Sequence, residues 1–354
     1  MINVYNALGI MSGTSLDGLD LALTTFQTNA LNKWSFTTIS AKTIDYPNHL
    51  AERLKKSIHL SGLELIELQN DWTEFVVQQV LKFKNDVRIN IDLIGNHGHT
   101  IFHQTQKQLT FQLANNAALA VKTGIKVVGD FRSGDVALGG QGAPLVPIGD
   151  QLLFHEYDAC INLGGIANIS FDDNGKRIAY DCCPFNIPLN IFAAELGLKY
   201  DEGGKLAANG SVDETLFNEL KKLSYFRLNP PKSLGIEWIN SDFLPILEKY
   251  ELNSSDKLAT LVEFYAHIIA KAKQSSKAKT TLITGGGVYN HYFIERLSEL
   301  SSTNLIVPDA KLIEFKEAII FGFLGVLRIR EEENTISSVT GAQKSYSSGG
   351  LYLP

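Results

Sequence analysis

One stretch near the start of the chain, Gly9, Ile10, Met11, Ser12, Gly13, Thr14, Ser15, Leu16, Asp17, Gly18, Leu19, Asp20, constrains the fold more than any other. It lies between two apolar runs, Val4 to Ile10 and Leu19 to Phe26, so the simplest reading is strand, tight turn, strand. Gly13 and Gly18 free the backbone to bend and to approach a ligand, while Ser12, Thr14 and Ser15 set hydroxyls beside amides that could converge on phosphate oxygens. Asp17 and Asp20 suit a phosphate only with a cation between, and Mg²⁺ is the usual one. The bland alternative is a polar hairpin with acidic punctuation, and composition alone favours it.

Helices are expected over Asn48 to Ser57 and Gly62 to Asn85, the second with Leu65, Leu68, Trp72, Phe75, Val76 and Phe83 on one face. A strand over Ile89 to Ile94 then leads into the run from Gly95 to His103. On an extended strand His97, His99 and His103 would share a face, which makes a metal site thinkable; with no cysteine or acidic ligand nearby, hydrogen-bonding roles are the better reading. A helix over Asn115 to Thr123, stopped at Gly124, and a strand over Ile125 to Val128 open into Asp130, Phe131, Arg132 and the glycines before Pro144. Polar residues past a strand's carboxyl end are where open α/β sheets place ligands, and Arg132 could clamp an anion. A glycine-rich interdomain connector is the alternative, and both readings can hold.

A second hairpin is expected from Cys160 to Ser170, carrying Gly164 and Gly165, and Arg177 to Tyr180, around the Asn174-Gly175 turn. Asp181 ends its second strand. A carboxylate at a strand tip opposite the first glycine turn is a reasonable general base, although taken alone it would more often be a turn residue. Cys182 and Cys183 read as two small, partly buried thiols, because a vicinal disulfide is strained. Helices are expected near Val212 to Leu223, Ser241 to Tyr250 and Asp256 to Lys273. A buried strand over Thr280 to Thr284 opens into Gly285, Gly286, Gly287 and a helix from Asn290, which is nucleotide-binding grammar short of the full dinucleotide fingerprint. A strand over Leu305 to Val307, a buried helix over Glu314 to Arg330 and a loose tail from Gly341 to Pro354 complete the reading.

At 354 residues the chain has room for two domains, and its net charge of -6 gives no general electrostatic reason to bind nucleic acid or an anionic membrane. The longest apolar stretch, Ala318 to Leu327, is about half of the ~20 residues that a membrane-spanning helix needs. The start lacks the pattern of a signal peptide, so a cytoplasmic location is expected. Three cysteines are too few for a disulfide framework. Lys205 is followed by Leu206, which excludes a P-loop, and Asp130, Phe131, Arg132 is not the metal-binding triplet of protein kinases.

What remains is a glycine-hydroxyl-aspartate hairpin, a second glycine hairpin and a late triple-glycine turn. In that order they resemble the two phosphate loops and the adenosine loop of the actin, sugar-kinase and heat-shock-chaperone ATPase superfamily. The resemblance narrows with Met11 to Gly18, with His97, Gly98, Thr100 and His103, with Asp130 to Arg132 and Gly140 to Leu145, and with Asn162 to Asn168. Pro231 to Ser233, Gly285 to Gly287, Lys316 to Ala318 and Thr340 to Ala342 extend it over nearly the whole chain. Together these resemble the anhydro-N-acetylmuramic acid kinases. The resemblance implies an α/β fold of two actin-like (ribonuclease H-like) lobes, each a mixed sheet flanked by helices. One lobe would be residues 1-131 plus 332-354 and the other 132-331, hinged near Asp130 to Pro144 around an interdomain cleft.

It implies an ATP- and Mg²⁺-dependent reaction in which water opens a 1,6-anhydro sugar from peptidoglycan recycling and the 6-oxygen is phosphorylated. By motif, Asp181 would be the base. Ser12, Gly13, Thr14, Ser15, Asp17, Gly18, Asp20, Gly164, Gly165, Gly285, Gly286 and Gly287 would form the ATP and phosphate site, with Asp17 and Asp20 at Mg²⁺. His97, Arg132 and Glu317 would bind the sugar, Arg132 being suited to its lactyl carboxylate. The implied partners are the sugar and ATP, with no nucleic acid and no membrane, and a homodimer is a permitted state. The chain departs from the family where Asp-Thr-Gly-Pro-Gly-Asn becomes Asp181, Cys182, Cys183, Pro184, Phe185, Asn186, where a later Asp becomes Asn190, and where Gly134 replaces a usual Arg. Leu234 and Ile236 also replace polar positions. A kinase of another anhydro or ordinary sugar, or an ATP-binding regulatory relative without sugar chemistry, therefore stands as the alternative.

Overall fold

The opening hairpin forms as expected: β1 (Asn3–Ser12) and β2 (Leu19–Thr28) pair antiparallel from Asn3 opposite Thr28 to Ser12 opposite Leu19. The protein is seen here in a computed structural model that describes residues 3–31, 33–301 and 304–354. β3 (Trp34–Ile44) adds antiparallel to β2; the sequence reading lacks it because Thr37, Thr38, Ser40, Lys42 and Thr43 leave no apolar run. β4 (Leu93–Gln104), β5 (Leu109–Leu113) and β6 (Lys126–Gly129) follow, β4 parallel to β1 and β6 parallel to β4. The strand expected over Ile89 to Ile94 thus starts later and runs through all three histidines; Asp92 is tied down just before it, accepting from the Asn6 N–H at 2.8 Å.

The period of two along β1 explains its burial on both faces. Leu8 and Ile10 pack with Leu68, Trp72, Val76 and Val80 of helix Gly62–Val87. That helix starts at a capping box in which the Ser61 hydroxyl accepts from the Glu64 N–H and Glu64 accepts from the Ser61 N–H. Gly9 faces the other way, against helix Ala310–Ile329, so closely that a Cβ on it would lie 1.7 Å from the Ala318 carbonyl oxygen. Side chains are absent there because two backbones are in contact.

β7 (Ala159–Leu163), β8 (Ile166–Asp173), β9 (Lys176–Pro184), β10 (Thr280–Thr284) and β11 (Asn304–Ile306) form a second sheet. β12 (Gly350–Tyr352) joins the first, antiparallel to β6. The second sheet runs β11-β10-β7-β8-β9, and the first runs β6-β4-β1-β2-β3 inside its β12 edge. In each, three consecutive strands form an antiparallel meander and two more add parallel to the first of them, the ribonuclease H-like order occurring twice. The α/β expectation of two mixed sheets with helices holds. The compact units are Met1–Leu153 with Phe315–Pro354, and Phe154–Glu314. The core of the second gathers Ile161, Ile169 and Ile283 with Leu261, Val262, Tyr265 and Ile269 of helix Ser254–Ser276, whose first turn is capped by Asn253.

Several local expectations change. The Cys160 to Ser170 run is two strands, broken at Gly164 and Gly165. The helix expected over Ser241 to Tyr250 is interrupted, with a π turn at Ile239–Phe243 before Leu244–Glu248. Asp130 to Pro144 lies inside the first unit, where buried Asp135 accepts from the Thr340 hydroxyl and from the Gly142 N–H, both at 2.7 Å. The tail is not loose: besides β12, the Ser348 hydroxyl donates to the Phe131 carbonyl at 2.6 Å, and Ser348 N–H donates to Asn334. Among the described residues no helix is long and apolar enough to cross a membrane.

Candidate active site

In the first unit, β1 and β6 end on either side of the middle of β4. Ser12 at the end of β1 pairs with His99 of β4, and Asn96 of β4 pairs with Gly129 at the end of β6, so the opening turn and the Asp130 to Arg132 segment follow strand carboxyl ends and flank the two buried histidines within β4. The turn closes with the Leu16 N–H donating to the Gly13 carbonyl at 3.2 Å, and Thr14, Ser15 and Asp17 stand exposed. Ser12 is buried, and its hydroxyl is engaged on two sides: Tyr46 donates to it at 2.7 Å, and His99 Nδ1 lies 2.8 Å away. That leaves the exposed Thr14 and Ser15 hydroxyls for a ligand. Asp20 accepts from the Thr43 hydroxyl at 2.6 Å and contributes, with desolvation, to raising the Glu317 carboxyl.

Arg132 is half-buried, and its fork is already partly spent. Its Nε and one terminal nitrogen donate to His97 Nε2 at 3.1 and 2.9 Å, and the other terminal nitrogen donates to the Gly142 carbonyl at 2.8 Å. His97 is therefore the neutral tautomer with the proton on Nδ1, which donates to the Gly98 carbonyl at 2.9 Å; burial first, and then Arg132, hold its basicity well down. Burial pushes Arg132 down to about 10, against the pull of Glu317. Glu317 keeps an exposed side chain, yet desolvation by the protein around it raises its carboxyl, against the opposing influence of Arg132 and Lys316. One unit thus gathers Arg132 and Glu317, while His97, with both ring nitrogens engaged, orients Arg132 rather than offering a free polar atom to a ligand. His103, by contrast, is exposed and bonds to Thr110, so the three histidines do not converge.

In the second unit, Asn162 of β7 pairs with Thr284 of β10, which sets the Gly164-Gly165 turn beside the Gly285 to Gly287 turn at the carboxyl ends of adjacent parallel strands. Gly285 has φ +87°, and a Cβ on it would meet Asn162 Oδ1 at 2.7 Å, so only glycine fits. Gly286 is open on all sides within 4 Å, and Asn290 caps the helix His291–Leu300 that follows, accepting from the Phe293 N–H. Asp181 sits on β9 opposite Asn168, three residues before the strand ends rather than at its tip, about 10 Å along the sheet from the first of these turns.

The segment from Tyr225 to Leu234 holds Asp181. The Asp181 N–H donates to the Lys232 carbonyl at 3.2 Å, the Tyr225 hydroxyl donates to the Asp181 carbonyl at 2.6 Å, and the Leu234 N–H donates to Asp181 Oδ2 at 2.8 Å. Burial pushes the Asp181 carboxyl up to about 6, against that last hydrogen bond. The Lys232 ammonium lies over the Tyr225 and Tyr180 rings, 4.6 and 5.6 Å from their centroids. Sequence reasoning missed Tyr225 and noted Leu234 only as an apolar replacement; both reach Asp181 through tertiary contacts with no local pattern. Cys182 and Cys183 are buried free thiols, as expected.

Asp17 in the opening turn and Asp20 near the start of β2 offer carboxylate oxygens, the ligand type of Mg²⁺, a cation that keeps several waters. Among the described residues no group of three or more His, Cys, Asp or Glu is placed to hold a metal, so a cation at Asp17 and Asp20 would complete its shell with phosphate oxygens and water.

The family model described as anhydro-N-acetylmuramic acid kinase matches residues 5–354. The chain is 34% identical to the anhydro-N-acetylmuramic acid kinase of Hydrogenovibrio crunogenus, with 98% of each chain covered. It is likewise 34% identical to the kinase of that name in Vibrio cholerae, again over 98% of each chain. Among solved structures it is similar to an activator of 2-hydroxyisocaproyl-CoA dehydratase from Clostridium difficile with bound ADPNP, at 13% identity and a TM-score of 0.40 over 92% of this chain and 97% of that one. A ROK hexokinase from Thermus thermophilus matches at 11% and 0.38, over 92% and 99%. Likenesses that loose bear on neither site nor chemistry.

Proposed function

The chain belongs to the anhydro-N-acetylmuramic acid kinase family, and from that premise we propose that it opens 1,6-anhydro-N-acetylmuramic acid with water and phosphorylates the 6-oxygen at the expense of ATP. The reaction balances simply. Water oxygen bonds to the anomeric carbon, the bond from that carbon to the 6-oxygen breaks, the 6-oxygen takes the γ-phosphoryl group, and ADP leaves. ATP with Mg²⁺ supplies the phosphoryl group and the neutralisation of its charge.

The environment of Asp181 is the observation that supports this most. A carboxyl raised to about 6 is ionised at neutral pH yet basic enough to take a proton from attacking water, and three hydrogen bonds, two to its main chain and one to its carboxylate, fix the position from which it does so. Arg132, oriented by His97 and the Gly142 carbonyl, keeps N–H groups for the lactyl carboxylate, and Glu317 pairs with a sugar hydroxyl. The amides of the opening turn and of the Gly164 and Gly285 turns hold the phosphates, with Asp17 and Asp20 beside Mg²⁺. The reading includes a cytoplasmic location, no nucleic-acid or membrane partner, and a homodimer as a permitted assembly.

A coupled assay for ADP release tests it. Sugar-dependent turnover with anhydro-N-acetylmuramic acid is the expected result, and a folded protein without it rejects the substrate. The Cys182 to Asn190 departures favour one second reading, a kinase of a different sugar, which a panel of anhydro and ordinary sugars separates. An ATP-binding relative that leaves every sugar untouched would be the third outcome.

A further inference from the structure

His99 carries no role in the reaction as described, yet three side chains fix which of its nitrogens holds the proton. The Trp72 indole can only donate, and it donates to the Tyr46 hydroxyl at 3.3 Å. Tyr46 spends its single proton on Ser12 Oγ at 2.7 Å. Ser12 Oγ keeps one proton of its own, whose acceptor among the described residues is His99 Nδ1, 2.8 Å away. Nδ1 is thereby an acceptor, and the neutral ring carries its hydrogen on Nε2.

That Nε2–H has no acceptor among the described residues, although His99 is only 3% exposed. Nε2 is not sealed off, so an acceptor from outside the chain can reach it. His99 is paired with Ser12 at the end of β1 and stands two residues from His97, which orients Arg132. Burial pushes its ring down to about 4, so the neutral tautomer persists throughout the neutral range.

We infer that His99 is a further binding residue, its Nε2–H held in place by the Trp72, Tyr46 and Ser12 relay to donate to a substrate oxygen at the opening turn. The inference rests on the proposed kinase reaction for the identity of the substrates. An oxygen acceptor is offered by the phosphates of ATP and by the sugar, and the two are separated by adding them singly. A donor set in advance by a buried relay needs no reorganisation when the ligand arrives.

Nitrogen-15 NMR of the full chain, labelled at histidine and assigned with a His99→Gln variant, reads the tautomer directly. The expected ligand-free spectrum has Nδ1 unprotonated and Nε2 protonated, and addition of either Mg·ATP or anhydro-N-acetylmuramic acid shifts Nε2. A protonated Nδ1, or an Nε2 unmoved by both ligands, overturns the inference. His99→Asn keeps an acceptor near Ser12 but loses the distal donor, whereas His99→Gln places an N–H near the Nε2 position. His99→Asn should raise the KM of one substrate about 10-fold or more and His99→Gln less than about 3-fold, a contrast that a merely structural role would not give. Equal KM values in the two variants also overturn it. Wild-type turnover in the same assay shows separately whether the kinase reading stands.

Discussion

Asp181→Asn separates catalysis from stability in opposite directions. The carboxyl moves from an ordinary 3.8 to about 6 in the folded protein, about 2 units, or about 3 kcal/mol at 1.36 kcal/mol per unit. Partial solvent screening reduces that to about 1–2 kcal/mol. Because the folded value is raised, the folded state binds the proton more tightly than the unfolded chain does, so wild-type stability falls as pH rises from about 4 to about 6 and is flat above. The asparagine variant has no charge to bury. It should match wild type at pH 4 and melt higher at pH 8, by about 2–8 °C for a unit of this size. Turnover should fall at least ~100-fold while both ligands still bind, and wild-type kcat should climb with pH through about 6. Melts at the two pH values and a pH-rate profile measure all of this. A variant no more stable than wild type at pH 8, or one that turns over near the wild-type rate, refutes the reasoning.

Gly9→Ala would drive a methyl group to 1.7 Å from the Ala318 carbonyl oxygen and should lower the melting temperature by several degrees; an unchanged melt would contradict the backbone contact. Arg132→Lys keeps the charge but loses the fork on His97, so the KM for sugar should rise about 10-fold with the KM for ATP unmoved. Gly285→Ala forces a side chain onto φ +87° and into Asn162, and ATP affinity measured by titration should fall about 10-fold or more.

Much of this was readable in the sequence, and the reasons differ by element. The opening hairpin, the Thr280–Thr284 strand and helix Gly62–Val87 carry local signals, respectively apolar runs around glycines, a β-branched run before a glycine turn, and a capping box with one apolar face. β3 and β12 were not legible, because edge strands with polar residues take their order from the neighbour they pair with rather than from their own pattern. The glycines of the candidate site announce themselves through spacing. The groups that hold Asp181 do not: Tyr225 and Leu234 lie 44 and 53 residues away in sequence and meet it only after folding. Tyr46 and Trp72 are equally silent, one inside a loop and the other indistinguishable from any core residue of its helix.

The contact between Gly9 and the helix Ala310–Ile329 has a consequence for biosynthesis. Everything from Phe154 to Glu314 leaves the ribosome before the helical turns that cover the first sheet exist, so β1 must wait with one side uncovered while a whole separate unit is made. Glycine on the waiting side gives a passing chain little to grip. Completion of the nascent first unit is therefore timed by elongation, and slowing translation beyond codon 314 would prolong its half-clad stage without touching the second unit.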